Sequence, residues 1–211
     1  MISQPGSYVL TGDIVSTALV GLSISAAGVT LDLNGFSVRA PSFSNVSCGI
    51  QLTSTTRNVV VRNGQILGWN IGVNVQFDVV GVLLENLHAA NQRLYGFNSD
   101  GRCVRFSQCR VTDIGTAPSV SLTAGFAIAG EAAVVEDCSV LRFAAPSAQN
   151  YGFSIVGAGH AVSRCTVVAS QVTNGIGMGF DGPIAYRDNT VVNMTTNYSA
   201  LHGAGSGGGN V

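Results

Sequence analysis

The sequence predicts an all-β solenoid, a right-handed parallel β-helix of about seven to eight short coils. Three observations support this fold class: a glycine-led motif that recurs along most of the chain, a second motif at a near-constant distance after it, and apolar residues that alternate with period two. The 211 residues suit one domain with a sizeable core. We therefore expect residues 1–211 to form a single β-helix domain, in which residues 1–20 supply an N-terminal cap with the first strands and residues 203–211 a glycine-rich tail.

The first motif is a glycine followed by a short alternating strand. Its copies begin at glycines that stand 28, 23, 24, 29, 27 and 23 residues apart. These are Gly21, Gly49, Gly72, Gly96, Gly125, Gly152 and Gly175. When such copies stack, each strand hydrogen-bonds to its neighbour about 4.8 Å along the axis, and equivalent side chains form rows. One interior row is predicted to contain Leu22, Ile50, Val73, Phe97, Phe126, Phe153 and Ile176.

The second motif is an apolar strand that ends at a polar residue, as in Val29–Asn34 and Val82–Asn86. Asparagine and aspartate tolerate the left-handed backbone conformation, so this residue predicts a bend. A small or apolar residue and a β-branched stretch follow, which predict a further strand. In three consecutive copies the small residue is cysteine, so Cys109, Cys138 and Cys165 are expected to be neighbours in an interior row.

The longer copies carry their extra residues in Arg39–Ser47, Asp113–Ala124 and Arg142–Asn150. Proline, serine and alanine are frequent there, which predicts loops that line up along one side of the stack. A leucine-rich repeat has a similar period, but its leucine and asparagine consensus is missing and no copy contains a helical stretch. A β-propeller would need about 40–45 residues per blade. The parallel β-helix is therefore the better prediction.

Composition and charge exclude several classes of partner. All ten basic residues are arginine and the net charge is −1, so neither nucleic acid nor an anionic membrane is an expected partner. The uncharged stretch Ile14–Leu31 is long enough for a membrane span. Hydroxyl side chains interrupt it, however, and apolar residues alternate with period two in its last third, so we interpret it as two strands. The five cysteines show no C-x-x-C spacing, which favours buried thiols over a zinc site.

Both ends of the chain resemble a known family. Residues Gln4–Ile14 and Ile24–Phe36 look like the opening of bacterial right-handed β-helix repeat proteins of the pectate-lyase-like superfamily, and Gly203–Val211 looks like their usual end. The resemblance covers nearly the whole chain and implies the β-helix fold. For function it implies carbohydrate, since many relatives cleave, isomerise or bind polysaccharides, whereas others are surface, adhesive or phage-spike modules. It also favours an extracellular or cell-surface location, although the sequence shows no basic n-region of a signal peptide.

Catalytic candidates follow from the chemistry of that superfamily. Its polygalacturonase-type hydrolases carry paired aspartates and histidine and lysine motifs. Here His160 is the nearest match, no adjacent aspartate pair occurs and lysine is absent, so His160 is interpreted as structural and a glycoside hydrolase is disfavoured. The position six residues after each motif glycine places Asp78, Arg102 and Glu131 on consecutive coils. Two carboxylates beside an arginine resemble the calcium-binding carboxylates and arginine base of pectate lyases, although a surface ion-pair ladder is the simpler interpretation.

Substrate-binding candidates lie on the outward side of the first strand. Outward positions alternate with the interior row, and the N-terminal ones are amides and hydroxyls that could hydrogen-bond sugar hydroxyls; a plainly solvated strand face is the alternative. Trp69, the single tryptophan, stands in a short loop and either stacks on a sugar or folds over the coil edge. The candidates are Gln51, Asn74, Gln76, Asn98, Asp100 and Trp69.

The leading functional hypothesis is a β-helix protein that binds or processes a polysaccharide, in a lyase-like manner if it is an enzyme, on its outer strand face or loop edge. The competing hypothesis is a non-catalytic structural, adhesive or phage-spike-like module. Whether the protein is an enzyme stays open at this stage. No cofactor is required, and Ca²⁺ is the ion that the carboxylates could hold. Open strand edges invite association, so self-association through the end coils or the loop edge is a further expectation.

Overall fold

The computed structural model describes residues 1–41, 48–115, 122–143, 149–201 and 203–211. Within these ranges no helix occurs, and every strand pairs in parallel with the equivalent strand one coil away. The chain winds as a parallel β-solenoid of about seven turns, which confirms the predicted right-handed β-helix. In the same ranges no helix is long and apolar enough to cross a membrane.

Three parallel sheets run along the solenoid, and we call them faces 1, 2 and 3 in the order in which each coil visits them. Face 1 contains the strands that carry the motif glycines. Its members are β3 (Val20–Ile24), β6 (Cys48–Leu52), β8 (Ile71–Val75), β10 (Tyr95–Ser99), β13 (Leu122–Ile128), β16 (Gln149–Val156) and the C-terminal parts of β18 (Thr166–Asp181) and β20 (Thr190–Leu201).

Face 2 contains the strands that end at the predicted bend. Its members are β1 (Gly6–Val9), β4 (Val29–Asp32), the N-terminal parts of β7 (Arg57–Leu67) and β9 (Val80–Ala90), β11 (Arg102–Ser107), β14 (Val134–Glu136), β17 (His160–Ser163), β19 (Ile184–Arg187) and β21 (Gly205–Ser206).

Face 3 closes each coil after the bend. Its members are β2 (Ile14–Val15), β5 (Ser37–Arg39), the C-terminal parts of β7 and β9, β12 (Arg110–Ile114), β15 (Ser139–Phe143) and the N-terminal parts of β18 and β20. All three predicted loops connect face 3 to face 1, so they begin and end along the same edge. Their central residues, 42–47, 116–121 and 144–148, lie outside the described residues.

The motif glycines form a ladder along face 1 because no side chain fits at their position. A Cβ atom added to Gly96 would lie 2.7 Å from the carbonyl oxygen of Gly125, and one added to Gly125 would lie 2.8 Å from that of Gly152. The same added atoms would meet Val111 and Val140, which reach into the interior from face 3. Close approach between coils therefore explains why the motif begins with glycine.

The seventh glycine of this ladder is Gly177, and the prediction of Gly175 was wrong. Met178 is the register partner of Phe153, and a Cβ on Gly177 would lie 2.8 Å from the Asn197 carbonyl oxygen. On this coil the interior row thus contains Met178 instead of Ile176, and the outward positions predicted for this coil shift by two residues. Two glycines two positions apart occupy the same side of a strand, so the motif alone does not distinguish them.

Side chains of face 1 and face 2 build an aromatic stack in the middle of the core. The ring centroids of Phe97 and Phe126 are 4.9 Å apart, and those of Phe126 and Phe153 are 4.7 Å apart. Phe106 from face 2 meets Phe126 edge-on at 5.7 Å. The predicted stack of three phenylalanines is confirmed, and its geometry is of the favourable stacked and T-shaped kinds.

The predicted cysteine row is also present. Cys109, Cys138 and Cys165 are buried on three successive coils, where face 3 begins. Burial raises the pKa of Cys138, and the neighbouring thiols raise it further. Small thiol side chains therefore fill a narrow part of the core.

The bends between face 2 and face 3 adopt the left-handed conformation, as predicted. The backbone angle φ is 51° at Asn34, 49° at Asn86 and 54° at Asp137. The complete set on successive coils is Asn34, Asn63, Asn86, Gln108, Asp137, Arg164 and Asp188. Asparagine and aspartate adopt this conformation at low cost, which accounts for their frequency at this position.

The glycine-rich tail continues the winding, with β21 paired to β19. The Asn210 Oδ1 atom accepts hydrogen bonds of 3.1 Å from the backbone N–H and from the Nδ2 of Asn189. The Tyr198 hydroxyl lies 2.8 Å from the Asn189 carbonyl oxygen and 3.1 Å from a Val211 oxygen, and these two acceptors share its one proton. The tail therefore covers part of the last coil, while self-association through the end coils stays a prediction.

Candidate functional site

Face 1 presents the predicted binding residues to solvent in outward rows. Gln51, Asn74 and Asn98 occupy equivalent positions of β6, β8 and β10, and we call them the amide row. The Asn98 Nδ2 donates a hydrogen bond of 2.9 Å to the Asn74 Oδ1. All three side chains are half-buried, so each amide keeps part of its surface exposed.

Gln76 and Asp100 extend this arrangement just beyond the ends of β8 and β10. The backbone N–H of Gln76 donates to the Leu52 carbonyl at 3.1 Å, and that of Asp100 donates to the Val75 carbonyl at 2.9 Å, which continues the parallel ladder. Both residues line a shallow depression of about 420 Å³ together with Asn74 and Asn98. The structure thus brings four of the predicted binding residues together.

An aromatic side chain that the sequence analysis missed lies in the same depression. Phe77 stands in the turn after β8, is 70% exposed, and lines the depression beside Ile71. An exposed ring next to amides suits a sugar, whose apolar face packs on the ring while its hydroxyls bond to polar groups. The available signal was a bulky aromatic residue between Gln76 and Asp78, directly after a face 1 strand.

A second depression of about 200 Å³ lies three coils further along face 1. Its lining includes Tyr151, the residue immediately before the motif glycine Gly152. Tyr151 packs over Gly179, where an added Cβ would lie 3.0 Å from the Tyr151 Cε1. Gly179 is the register partner of Ser154, so the absence of a side chain in this row makes room for the ring. The rings of Phe77 and Tyr151 are separated by three coil spacings, roughly 14 Å along the axis.

Trp69 is not part of this surface, and the prediction that it stacks on a sugar was wrong. The residue is 0% exposed, and its Nε1 donates a hydrogen bond of 3.1 Å to the Val38 carbonyl oxygen. A Cβ on Gly21 would lie 2.8 Å from the Trp69 ring, so the indole occupies space that the glycine ladder leaves open. Trp69 is a core residue whose N–H has an internal acceptor.

The structure brings Arg102 and Glu131 together and leaves Asp78 aside. Arg102 and Glu131 are bridge partners on adjacent coils, but the partner of Arg102 on the preceding coil is Val80. Residues 76–79 separate β8 from β9, whereas only residues 100–101 separate β10 from β11. Counting from the motif glycine therefore misplaces Asp78 by two positions. All three side chains are exposed, and no hydrogen bond or ion pair joins them in the described part of the chain; their catalytic role stays a prediction.

His160 is structural, as interpreted from the sequence. It is 2% exposed, and its Nδ1 accepts a hydrogen bond of 3.0 Å from the Ala133 N–H. The Nε2 lies 3.2 Å from the Val156 carbonyl oxygen, to which it donates in the neutral tautomer that this pair of contacts requires. Burial lowers the pKa of His160. The ring therefore holds the turn between face 1 and face 2 in place.

The residues present do not fit the calcium site that the resemblance implies. Among the described residues, no three His, Cys, Asp or Glu side chains are placed to hold one metal ion. The carboxylates of Asp78 and Glu131 lie on either side of the coil that carries Arg102, whose positive charge disfavours a cation there.

Comparison with known proteins supports the fold. No protein-family model matches the sequence, and no curated protein matches it. Among solved structures, the surface protein and adhesin PfbA of Streptococcus pneumoniae is similar over 90% of this chain and 62% of its own, with a TM-score of 0.56 and 10% identity.

Two further solved structures show weaker similarity. The catalytic unit of a GH87 α-1,3-glucanase from Streptomyces thermodiastaticus is similar over 91% of this chain and 50% of its own, with a TM-score of 0.47 and 15% identity. Tailspike protein 2 of bacteriophage CBA120 is similar over 97% of this chain and 38% of its own, with a TM-score of 0.49 and 12% identity. The chain spans less than two thirds of each of these proteins, and identities this low concern the fold alone.

Proposed function

We propose that this protein binds a neutral polysaccharide along the outer side of face 1. The observation that carries the proposal is the depression in which the exposed Phe77 ring stands beside the amides of Asn74, Gln76 and Asn98. An amide both donates and accepts hydrogen bonds, as a sugar hydroxyl does, and an aromatic ring covers the apolar face of a pyranose. The depression therefore combines the two kinds of contact that a sugar needs.

The charge of this face favours a neutral ligand. Among the described outward residues of face 1, the charged side chains are Asp100 and Asp181, both acidic. An anionic polysaccharide would meet repulsion from the exposed Asp100 carboxylate. A neutral chain that runs along the axis meets one rung about every 4.8 Å, and Phe77 at the depression supplies its aromatic contact.

Affinity gel electrophoresis with a panel of neutral soluble glucans, mannans and galactans tests the proposal. Replacement Phe77→Ala removes the exposed ring, and we expect it to weaken binding roughly tenfold. The matched control is Val134→Ala on face 2, which removes another exposed apolar side chain away from the depression. The proposal is rejected if no glycan retards the protein, or if Phe77→Ala binds as tightly as the control.

The same purified protein, incubated with the neutral panel and with polyuronates, separates binding from processing. Ultraviolet absorbance reports the unsaturated products of a lyase. Turnover that is lost in Arg102→Ala and kept in Arg187→Ala, which removes an exposed arginine from the distant strand β19, would support the lyase-like hypothesis. Binding without turnover leaves a binding or adhesive module, a role that PfbA, with a similar fold, has as an adhesin. If the protein shows neither binding nor turnover, a purely structural module becomes the better hypothesis.

A further inference from the structure

A separate groove lies at the corner between face 2 and face 3, away from the depressions on face 1. It has a volume of about 620 Å³ and extends from the end of β4 to the start of β12. Gly35 has no side chain to fill the groove, and the space where its Cβ would stand is open, with no atom within 4 Å. Its lining is otherwise mainly polar, and the side chains that matter below are Asp32, Asn63, Asn86, His88, Gln108 and Arg110.

Hydrogen bonds order the amides along one wall of the corner groove. The Asn86 Nδ2 donates to the Asn63 Oδ1 at 3.0 Å, and the Asn63 Nδ2 donates to the two oxygens of Asp32 at 3.2 and 3.1 Å. Both NH₂ groups thus face the N-terminal coils. The Asn86 Oδ1 and the amide of Gln108 have no partner within the described ranges and remain exposed to a ligand.

The uncompensated charge of the corner groove is that of Arg110. The other charged group in the lining, Asp32, lies 2.9 Å from the Arg62 Nε. A hydrogen bond from the Asn34 backbone lowers the pKa of Asp32, so this carboxylate is ionised and neutralised by Arg62. Arg110 is exposed, and its guanidinium has no ion pair or hydrogen bond in the described part of the chain.

His88 stands next to Arg110 in the register of face 3. Burial lowers the pKa of His88, and the positive charge of Arg110 lowers it further, so the imidazole is neutral at pH 7. Its Nε2 lies 2.9 Å from the Thr112 Oγ1, which holds the ring in place. The groove therefore combines one guanidinium with neutral hydrogen-bonding groups.

The same corner has a different character on the later coils. There the bend residues pair with each other: the Arg164 Nε lies 2.8 Å from the Asp137 Oδ1, and the Arg164 Nη2 lies 2.9 Å from the Asp137 Oδ2. Arg164 also reaches Glu136 at 3.4 Å. Charges on these coils are thus satisfied internally. An open groove with an unpaired arginine is a particular feature of the earlier coils and does not follow from the bend itself.

We infer that the corner groove binds a carboxylate-bearing polysaccharide, with Arg110 as the charged contact and the amides of Asn86 and Gln108 as partners of the sugar hydroxyls. A guanidinium donates two parallel hydrogen bonds to a carboxylate, which gives both strength and orientation. Successive bends repeat about every 4.8 Å along the axis, so a linear polymer meets one amide per coil. This site prefers an anionic ligand, whereas face 1 is proposed to bind a neutral one, and it does not depend on the binding proposed there.

Two cellulose derivatives with the same backbone test the inference in native affinity gels: anionic carboxymethyl cellulose and uncharged hydroxyethyl cellulose. The experiment uses Phe77→Ala protein, so that binding to face 1 contributes little. Arg110→Gln removes the guanidinium. Arg110→Lys keeps the positive charge but cannot donate two parallel hydrogen bonds to one carboxylate. Arg187→Gln is the matched control, because it removes the same charge from an exposed position on a distant strand, β19. Thermal unfolding followed by circular dichroism verifies that each variant is folded.

We expect carboxymethyl cellulose to bind more tightly than hydroxyethyl cellulose, and Arg110→Gln to weaken that binding about tenfold or more. Arg110→Lys should recover part of the loss, and Arg187→Gln should change the affinity less than about twofold. Equal binding of the two polymers overturns the inference. So does an Arg110→Gln affinity equal to that of Arg187→Gln, since binding would then reflect overall charge alone.

Discussion

Gly125 on face 1 and Val140 on face 3 meet across the interior so closely that a Cβ on the glycine would lie 2.7 Å from the Val140 Cγ1. The same added Cβ would lie 2.8 Å from the carbonyl oxygen of Gly152 on the next coil. One of these neighbours is backbone and the other is fully buried, so neither can move aside freely.

Replacement Gly125→Ala is therefore expected to destabilise the fold by about 1–3 kcal/mol, the usual cost of overpacking a core. Urea unfolding measured by circular dichroism gives the change. Gly12→Ala is the control, because an added Cβ there meets nothing within 4 Å. Equal unfolding midpoints for the two variants would show that coils can move apart at the ladder.

Phe126 is the centre of the aromatic stack and contacts rings on both sides. Phe126→Ala leaves a cavity at a position that is 0% exposed, and we expect a loss of about 3–5 kcal/mol in the free energy of unfolding. The comparison is Phe77→Ala, which removes the same side chain from a position that is 70% exposed and should change stability little. Similar losses in the two variants would contradict the burial described here.

The five thiols should differ in reactivity. Cys103 is exposed, whereas the other four cysteines are buried. Burial raises the pKa of Cys48 to about 12, so almost no thiolate is present there at pH 8. We expect Ellman's reagent to modify one thiol rapidly in the native protein and the remaining four only in denaturant. Cys103→Ser should abolish the rapid phase; a rapid phase that persists in this variant would place another cysteine at the surface.

Stability should decrease as the pH falls below about 6.5, the ordinary pKa of histidine. Burial lowers the pKa of His160 in the folded protein, so the unfolded chain binds more protons in this range and protonation favours unfolding. The loss continues until the pH reaches the lowered folded pKa. His160→Gln should flatten the dependence of the urea midpoint between pH 7 and 5. His88, whose pKa is also lowered, accounts for part of any residual slope; an unchanged slope in the double variant with His88→Gln would refute this assignment.

The fold was predictable because every coil repeats the same physical requirements. A glycine where coils approach, an apolar residue in the interior and a left-handed bend recur at near-constant spacing, and seven repetitions leave little ambiguity. The error at Gly175 arose because Gly175, Gly177 and Gly179 alternate along one strand and lie on the same side of it. The register decides among them, since Met178 pairs with Phe153 and Gly177 therefore continues the ladder.

The candidate site was predictable only in its regular part. The amide row follows from strand alternation, so Asn74 and Asn98 were placed correctly. Turn lengths carry no comparable period, which explains why Asp78 was aligned with Arg102 and why Phe77 was missed. The burial of Trp69 depends on space left by glycines of other coils, and a local motif does not reveal such space.

The glycine ladder has a consequence for how this protein can change in length. Since each rung makes the same kind of contact with the next, a whole coil can be inserted or removed without creating a new type of interface. Duplicating the 24 residues from Gly72 to Tyr95 would add a second Phe77 and extend the binding face by about 4.8 Å. Reach along a polymer is thus set in whole steps by the number of coils, while outward substitutions decide what is recognised at each step.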